Sequence, residues 1–577
     1  MKKFTSWRRP GTFSIFLIDD RLLLICIGII VGLCSGLAAL ALNSSLIFMM
    51  DSLHNFRHYW WAFLLPATGA LFSSIFLKKI IKEDSGHGVP EVIYSVSRYG
   101  GLLKFRSTFS RLVASCLTIG SGGSAGPEAP VVVSGSAIGS NIATFFSFNE
   151  RQRITLVGCG AAGAIASIFN APLTGIIFTM EIILGEWSMV NIIPIAVASV
   201  AGAEISRHLR GNIIAFESST VFHLSNYHFI ACVGLAVCAS VASIIFTRYL
   251  RAMHKVSQKV ILPFWLKAAI GGASVGAIGF VIPEVMGEGY HTIHEMIAGI
   301  FKEGLGIAVI GCLAKILATS LTLGWGGSGG IFAPSLVIGS FAGLAYHRLL
   351  VYLFPSITWV NEGCFALLGM AGMISGILQA PLTGIFLILE ITGGYDVMLS
   401  LIVVSALSTT ITHYAEPASF YLKELTESGK LLRPGTDSRV LADISIREVI
   451  EKDCIPVSPN MLLREFIHTV KQSTRNYFPV EEPESGKFIG MIQLDQIKPY
   501  IFNTLMYDTV LVEQIMDTNP ETVSYDDELS DVLRKMDMKR CFSLPVIYNG
   551  RFEGMISKAT LLDKYRDELN VQTSHSF

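Results

Sequence analysis

The chain has 577 residues, of which 51% are hydrophobic and 15% charged, with a mean hydropathy of +0.53 and a formal net charge of −1. A soluble domain carries about 25% charged residues, so a wholly soluble protein is excluded, and without a basic stripe so is a nucleic-acid partner. Charge is sparse from residue 22 to 420 and dense after Lys423, which predicts a polytopic membrane domain followed by a soluble one.

Residues 1–20 carry Lys2, Lys3, Arg8 and Arg9 ahead of an apolar run at 22–42. That run is long enough to span a bilayer and ends at no cleavage site, so it reads as a first membrane helix. Its basic flank places the N-terminus in the cytoplasm. A second span at 59–76 ends at Lys78, Lys79 and Lys82. Next, Gly86-His87-Gly88-Val89-Pro90 breaks the chain before Glu91. Short apolar pieces follow at 112–119, 129–145, 154–169 and 172–184, several too short for a full crossing. Broken helices at membrane depth are tolerated only where they line an enclosed cavity.

Two stretches sit among these pieces. Gly122-Gly123-Ser124-Ala125-Gly126-Pro127-Glu128-Ala129-Pro130 is echoed by Gly326-Gly327-Ser328-Gly329-Gly330-Ile331-Phe332-Ala333-Pro334. A glycine-led helix start leaves its first N–H groups unpaired and partly positive, which makes an anion site without a basic side chain. A second echo links Ala171-Pro172-Leu173-Thr174-Gly175, ending at Glu181-Ile182, to Ala380-Pro381-Leu382-Thr383-Gly384, ending at Glu390-Ile391. Two echoes in one order at nearly one offset mean a duplicated unit, whose helix starts read as two walls of one substrate site. The residues alone leave open whether the copies are parallel or inverted. Long spans are expected at 230–246, 266–281 and 307–321, and a last one at 397–412 ahead of Ser419-Phe420-Tyr421-Leu422.

From about Arg439 short strands alternate with amphipathic helices. Pro479-Val480 leads to Phe488-Ile489-Gly490-Met491-Ile492, and Pro545-Val546 to Phe552-Glu553-Gly554-Met555-Ile556. Each is a predicted hairpin, turning at Ser485-Gly486 or Asn549-Gly550, with helices at 462–471 and 528–538 before it and another after. The expected organisation is 1–20 N-terminus, 21–425 membrane domain, 426–440 linker, and repeats at 441–505 and 506–577 forming one compact domain. Eight of the ten cysteines lie in the apolar part without Cys-x-x-Cys or Cys/His spacing, which reads as small buried hydrophobes rather than a metal site or disulfide framework.

At these residues the chain resembles the chloride-channel (CLC) family of anion channels and proton-coupled exchangers. Gly86-His87-Gly88-Val89-Pro90 is similar to that family's GSGIP, Gly126-Pro127-Glu128-Ala129-Pro130 to GREGP, and Gly330-Ile331-Phe332-Ala333-Pro334 to GIFAP; Tyr421 falls where a late tyrosine lies. The tail resembles a pair of CBS repeats. The resemblance implies an all-α polytopic membrane domain of two inverted repeats with broken helices, a cytoplasmic α+β CBS pair, and a homodimer with one anion path per subunit. It also implies a cell-membrane location, the bacterial inner membrane, with both termini cytoplasmic. The implied anion-binding set is His87, Gly126, Ala129, Ile331, Phe332 and Tyr421. Glu128 is the implied gate, a carboxylate that competes with the anion. Three positions depart from the pattern: His87 replaces a serine, Pro127 an arginine, and Ile182 the internal proton-carrying acid of many exchangers.

Beside these roles stand plainer ones. His87 either faces the anion, titrating near neutral pH, or points away. Tyr421 is an anion ligand or an interfacial tyrosine. Glu181 is a candidate proton relay, or, like Glu390, a structural acid at a polar helix end. Lys315 snorkels or is paired. In the CBS repeats the positions that contact adenine nucleotides hold Gln493 and Gln496, and Ser557 and Thr560, which speaks against nucleotide binding; no cofactor is expected. The function expected is chloride transport, with nitrate or other small anions as further substrates, gated by Glu128 and coupled to protons as antiport. A passive voltage- or pH-gated chloride channel is the alternative. A CBS-regulated divalent-cation transporter ranks far lower, for it needs clustered carboxylates at the pore. A membrane enzyme is rejected, because the spans hold no hydrolytic or metal-spaced cluster.

Overall fold

A computed structural model describes residues 20–54, 56, 59–83, 88–211, 226–393, 395–427, 444–539 and 541–574 of the protein. His87 lies outside the described residues. They divide into two compact units, 20–427 and 444–574.

The first apolar run contains no proline and forms one helix, α1 (Asp20–His54), well beyond the residues expected. At 1.5 Å per residue it measures roughly 50 Å, longer than the ~30 Å hydrocarbon layer, so it must tilt or project. Then come α2 (Leu65–Ile75), continued by a π turn at Phe76–Ile81, α3 (Val89–Arg98), α4 (Ser110–Gly120), α5 (Glu128–Phe145), α6 (Glu150–Phe169), α7 (Pro172–Phe178), α8 (Met189–Arg210) and α9 (Asn226–Lys259). The second half runs α10 (Phe264–Val281), α11 (Tyr290–Ile297), α12 (Leu305–Gly324), α13 (Phe332–Leu353), α14 (Glu362–Leu378), α15 (Pro381–Thr392), α16 (Met398–Ala415) and α17 (Phe420–Glu427). Among the described residues, nine helical segments are long and apolar enough to cross a membrane. Short helices such as α3, α4, α7 and α11 lie between them.

The duplicated sequence becomes duplicated structure. In the first half α5 packs on α6, and in the second α13 packs on α14. Both crossings are glycine against glycine. A Cβ on Gly135 or Gly160 would overlap the other's carbonyl oxygen, and the same holds for Gly339 and Gly369. Helices approach this closely in membranes when the crossing residues are small, because dispersion rather than water expulsion drives their association. The copies differ after α7, where a π turn (Thr179–Leu184) replaces the regular end of α15. The first copy has fourteen residues from Pro172 through its closing Gly185 and the second thirteen from Pro381 through Gly393; one inserted residue is what a π turn accommodates.

The C-terminal unit is built from two hairpins, β1 (Tyr477–Glu481) with β2 (Phe488–Gln493) and β3 (Ser543–Tyr548) with β4 (Arg551–Ser557). Val480 faces Gly490 and Val546 faces Gly554, and the register shifts at the next residue in both. The β3–β4 turn holds Asn549 and Gly550 at φ 52° and 79°, both left-handed, as a tight two-residue hairpin turn requires. The two cores interleave. Ile444, Ile446 and Val449 are buried with Val532, Val546 and Leu561 of the later repeat. Val512 is buried with Phe466, Val480 and Ile492 of the earlier one. Neither core is therefore confined to one sequence repeat.

The glycine crossings generate a test. Gly160→Val should prevent α5 and α6 from approaching, at a cost of at least the ~1–3 kcal/mol typical of overpacking, and abolish recovery of monodisperse protein. Gly304→Ala, with nothing within 4 Å of the added carbon, should behave as wild type in size-exclusion chromatography and thermal melting.

Candidate functional site

The two glycine-led stretches meet face to face. Each opens with a glycine at a φ that side chains avoid, Gly122 at 108° and Gly326 at 109°. Past that turn each stretch reaches across to the other half. The Ser124 N–H donates to Thr322 Oγ1 at 3.1 Å, and the Ser328 N–H to Thr118 Oγ1 at 3.2 Å. The Gly126 N–H donates to the Gly330 carbonyl at 2.8 Å, and the Gly330 N–H to the Gly126 carbonyl at 2.6 Å. Such reciprocal contacts are what a local twofold axis between the halves produces. Gly126, which the resemblance puts in the anion set, has its N–H engaged by the Gly330 carbonyl and links the halves.

Two residues beyond the bridge each chain enters a helix, α5 at Glu128 and α13 at Phe332. The Glu128 side chain is 1% exposed. One of its oxygens accepts from the Tyr290 hydroxyl, and the other from the Ala333 N–H at 3.4 Å. The carboxylate thus sits over the start of α13, where the first N–H groups of a helix lack intrahelical acceptors and carry positive partial charge. Ile331 and Phe332 head that helix and are buried. The Phe332 ring lies 5.5 Å from that of Phe169 and 6.1 Å from that of Phe178, giving the site an apolar wall. Ala129 is buried and stands against Gly330. Tyr421 is buried on α17, which packs on α3. Ala333 and Tyr290 were missed from the sequence. Ala333 lay in a recognised motif but has no side-chain chemistry, and Tyr290 lay in none.

Glu181 and Glu390 each reach a helix start of the opposite half. Glu181 accepts from the N–H groups of Leu382 and Thr383, at 3.3 and 2.8 Å, and from the Thr383 hydroxyl at 2.7 Å. Glu390 accepts from the N–H groups of Leu173 and Thr174, at 2.8 and 2.7 Å, and from the Thr174 hydroxyl at 2.6 Å. Each acid caps the proline-led helix start of the opposite half. Lys315 does not snorkel: its fully buried ammonium donates to the carbonyls of Val285 and Gly287, both at 3.0 Å. Among the described residues no cluster of three or more metal-ligating side chains occurs.

The family model described as voltage gated chloride channel matches residues 69–413, more than half of the chain. The chain belongs to the voltage-gated chloride channel (CLC) family. A CBS domain model matches residues 512–567. A ClcB-like chloride channel protein of Ralstonia nicotianae (strain ATCC BAA-1114 / GMI1000) is 28% identical over 374 residues, 64% of this chain and 86% of that protein. Three solved CLC structures share the fold. A slow cyanobacterial Cl−/H+ antiporter aligns with TM-score 0.65 at 22% identity, over 71% of this chain and 98% of its own. A CLC-type fluoride/proton antiporter gives 0.60 at 20%, over 69% and 97%. A eukaryotic CLC transporter gives 0.63 at 16%, over 93% and 98%. The broken helices around Gly126 and Gly330 are therefore part of a CLC membrane domain.

In the CBS region of this CLC protein the suspected nucleotide positions are occupied by neighbours. The Ser557 hydroxyl donates to Glu451 Oε1 at 2.6 Å, and the Thr560 hydroxyl donates to the same oxygen. Arg475 holds the other Glu451 oxygen at 2.6 Å and pairs with Asp453 at 2.9 Å. That guanidinium keeps the Asp453 carboxyl below its ordinary value of 3.8, so the stability this pair adds is full above that pH and lost on acidification below it. Gln493 and Gln496 bond each other at a helix start.

Two outcomes are expected. Glu181→Gln and Glu390→Gln should each lose part of a charged cap, roughly 1–3 kcal/mol, and lower the melting midpoint of detergent-purified protein by similar amounts; two unchanged midpoints would contradict the reciprocal caps. Arg475→Ala should leave the Glu451 charge without its cation and raise amide hydrogen exchange at Ser557 and Thr560, with no change at Gly126.

Proposed function

We propose that this protein transports chloride through the site formed by the starts of α5 and α13, with Glu128 as its gate, and exchanges chloride for protons. The observation that carries the reading is the Glu128 carboxylate over the start of α13, accepting from the Ala333 N–H. A carboxylate held there occupies the place that suits a chloride ion. Ionised, it excludes the anion; protonated, it loses the charge that holds it and yields the site. Donors of this kind suit transport, because partial charges hold an anion weakly enough for release. Ile331 and Phe332 N–H groups and the Tyr421 hydroxyl complete the proposed path. The same proposal assigns a homodimer in the cell membrane with both termini cytoplasmic, and light scattering of solubilised protein would read its mass against 62.8 kDa for one chain.

Passive chloride conduction is the second reading. It is favoured by the side chain at position 182, an isoleucine where many exchangers carry an internal acid, and by Glu181, whose oxygens are engaged as a cap.

Two measurements on liposomes separate these readings. Wild-type chloride flux should rise as pH falls, by up to about tenfold per pH unit while the acid is mostly ionised. Glu128→Gln should be flat with pH and move no protons; a mutant with unchanged pH dependence would remove Glu128 from the gate. Under an imposed proton gradient the reversal potential of chloride flux should depart from the chloride equilibrium value. A reversal potential that stays at that value identifies a channel and overturns antiport.

A further inference from the structure

In sequence, the Gly287-Glu288-Gly289-Tyr290 turn shares only its glycines with Gly86-His87-Gly88-Val89. The structural match is between Gly289-Tyr290 and Gly88-Val89. Gly88 and Gly289 each precede a short helix, α3 or α11, at left-handed φ of 77° and 85°. A Cβ on Gly88 would meet Val133 Cγ2 at 2.7 Å and Arg111 Nε at 3.6 Å. A Cβ on Gly289 would meet Val337 Cγ2 at 2.7 Å and Lys315 Nζ at 3.2 Å. Val133 and Val337 stand at matching places in the duplicated stretches, and Arg111 and Lys315 at matching places before them. Gly88 and Gly289 thus each sit against a buried basic side chain. In the second half that turn delivers the Tyr290 hydroxyl to the carboxylate of Glu128.

We propose that Tyr290 is the latch of the gate, a positioning residue whose hydroxyl holds the Glu128 carboxylate in the anion site and so sets how strongly the gate competes with chloride. The proposal rests on the reading of Glu128 as the gate. The latch is well anchored. Lys315 fixes the carbonyls of Val285 and Gly287, and the Gly287 N–H donates to the Gly122 carbonyl at 3.3 Å. The stretch that opens at Gly122 and the helix α12 therefore both hold the turn that carries Tyr290. Its first-half equivalent, Val89, has no side-chain donor to offer a carboxylate.

The test measures chloride binding by titration calorimetry on the full-length protein carrying Tyr290→Phe, Glu128→Gln, or both. Phenylalanine keeps the ring and removes one oxygen. With Glu128 present, Tyr290→Phe should tighten apparent chloride binding about tenfold, the usual scale of a hydrogen bond to a charged group. Glu128→Gln alone should also tighten it, and adding Tyr290→Phe to that variant should change nothing further. If Glu128→Gln tightens binding while Tyr290→Phe leaves it unchanged, the gate reading stands and the latch is overturned. If Tyr290→Phe weakens binding with or without Glu128, Tyr290 is an anion ligand and the latch is again overturned. If Glu128→Gln has no effect, the gate reading itself fails and takes the latch with it.

Discussion

A helix that breaks inside a membrane exposes N–H and C=O groups with no water to satisfy them. This constraint shapes the site. Where the chain stops before α5 and again before α13, the loose ends satisfy each other through the mutual Gly126–Gly330 bonds and the exchanged bonds of Ser124 and Ser328 with Thr322 and Thr118. Farther out, Glu181 and Glu390 cap the opposite half's proline-led starts. Between these paired ends lie the heads of α5 and α13, with the Glu128 carboxylate on the Ala333 N–H. Duplication is therefore a way of closing backbone accounts: each half supplies what the other's breaks require.

Function then depends on where the halves differ. Glu128 and Phe332 occupy the same place in the two copies, the first residue of the helix after the glycine bridge. One copy puts a carboxylate there and the other an aromatic ring packed on Phe169 and Phe178. A symmetric pair of acids would repel, and a symmetric pair of rings would leave nothing that titrates. The mixed pair sets one buried carboxylate against one apolar wall. The same asymmetry recurs after Gly88 and Gly289, where Val89 in one half corresponds to Tyr290 in the other.

Much of this was legible in the sequence, because the fold requires glycine at close crossings and turns, and these glycines fall in runs that repeat. The duplicated stretches, Glu128 and both tail hairpins were visible for that reason. Tyr290 was hidden because the turn bearing it keeps only two glycines in common with its partner, too little to register as a repeat. The carbonyl clamp of Lys315 was hidden because its acceptors are backbone atoms, which any sequence supplies. The bond of the Gly126 N–H to the other half was hidden because the motif does not tell which N–H faces which way. The π turn left its mark as one extra residue before Gly185, visible only once the helix ends were known.

The interleaved cores of the tail have a consequence for synthesis. A ribosome releases Ile444 and Val449 long before Val546 and Leu561, the residues that bury them. It also releases Phe466 and Ile492 before Val512, which completes their cluster. The early repeat cannot close as it emerges, and the segment leading into it stays open until nearly the last residue is made. The tail is thus all or none in time, and a chain interrupted within its final repeat would spoil the segment that precedes the first.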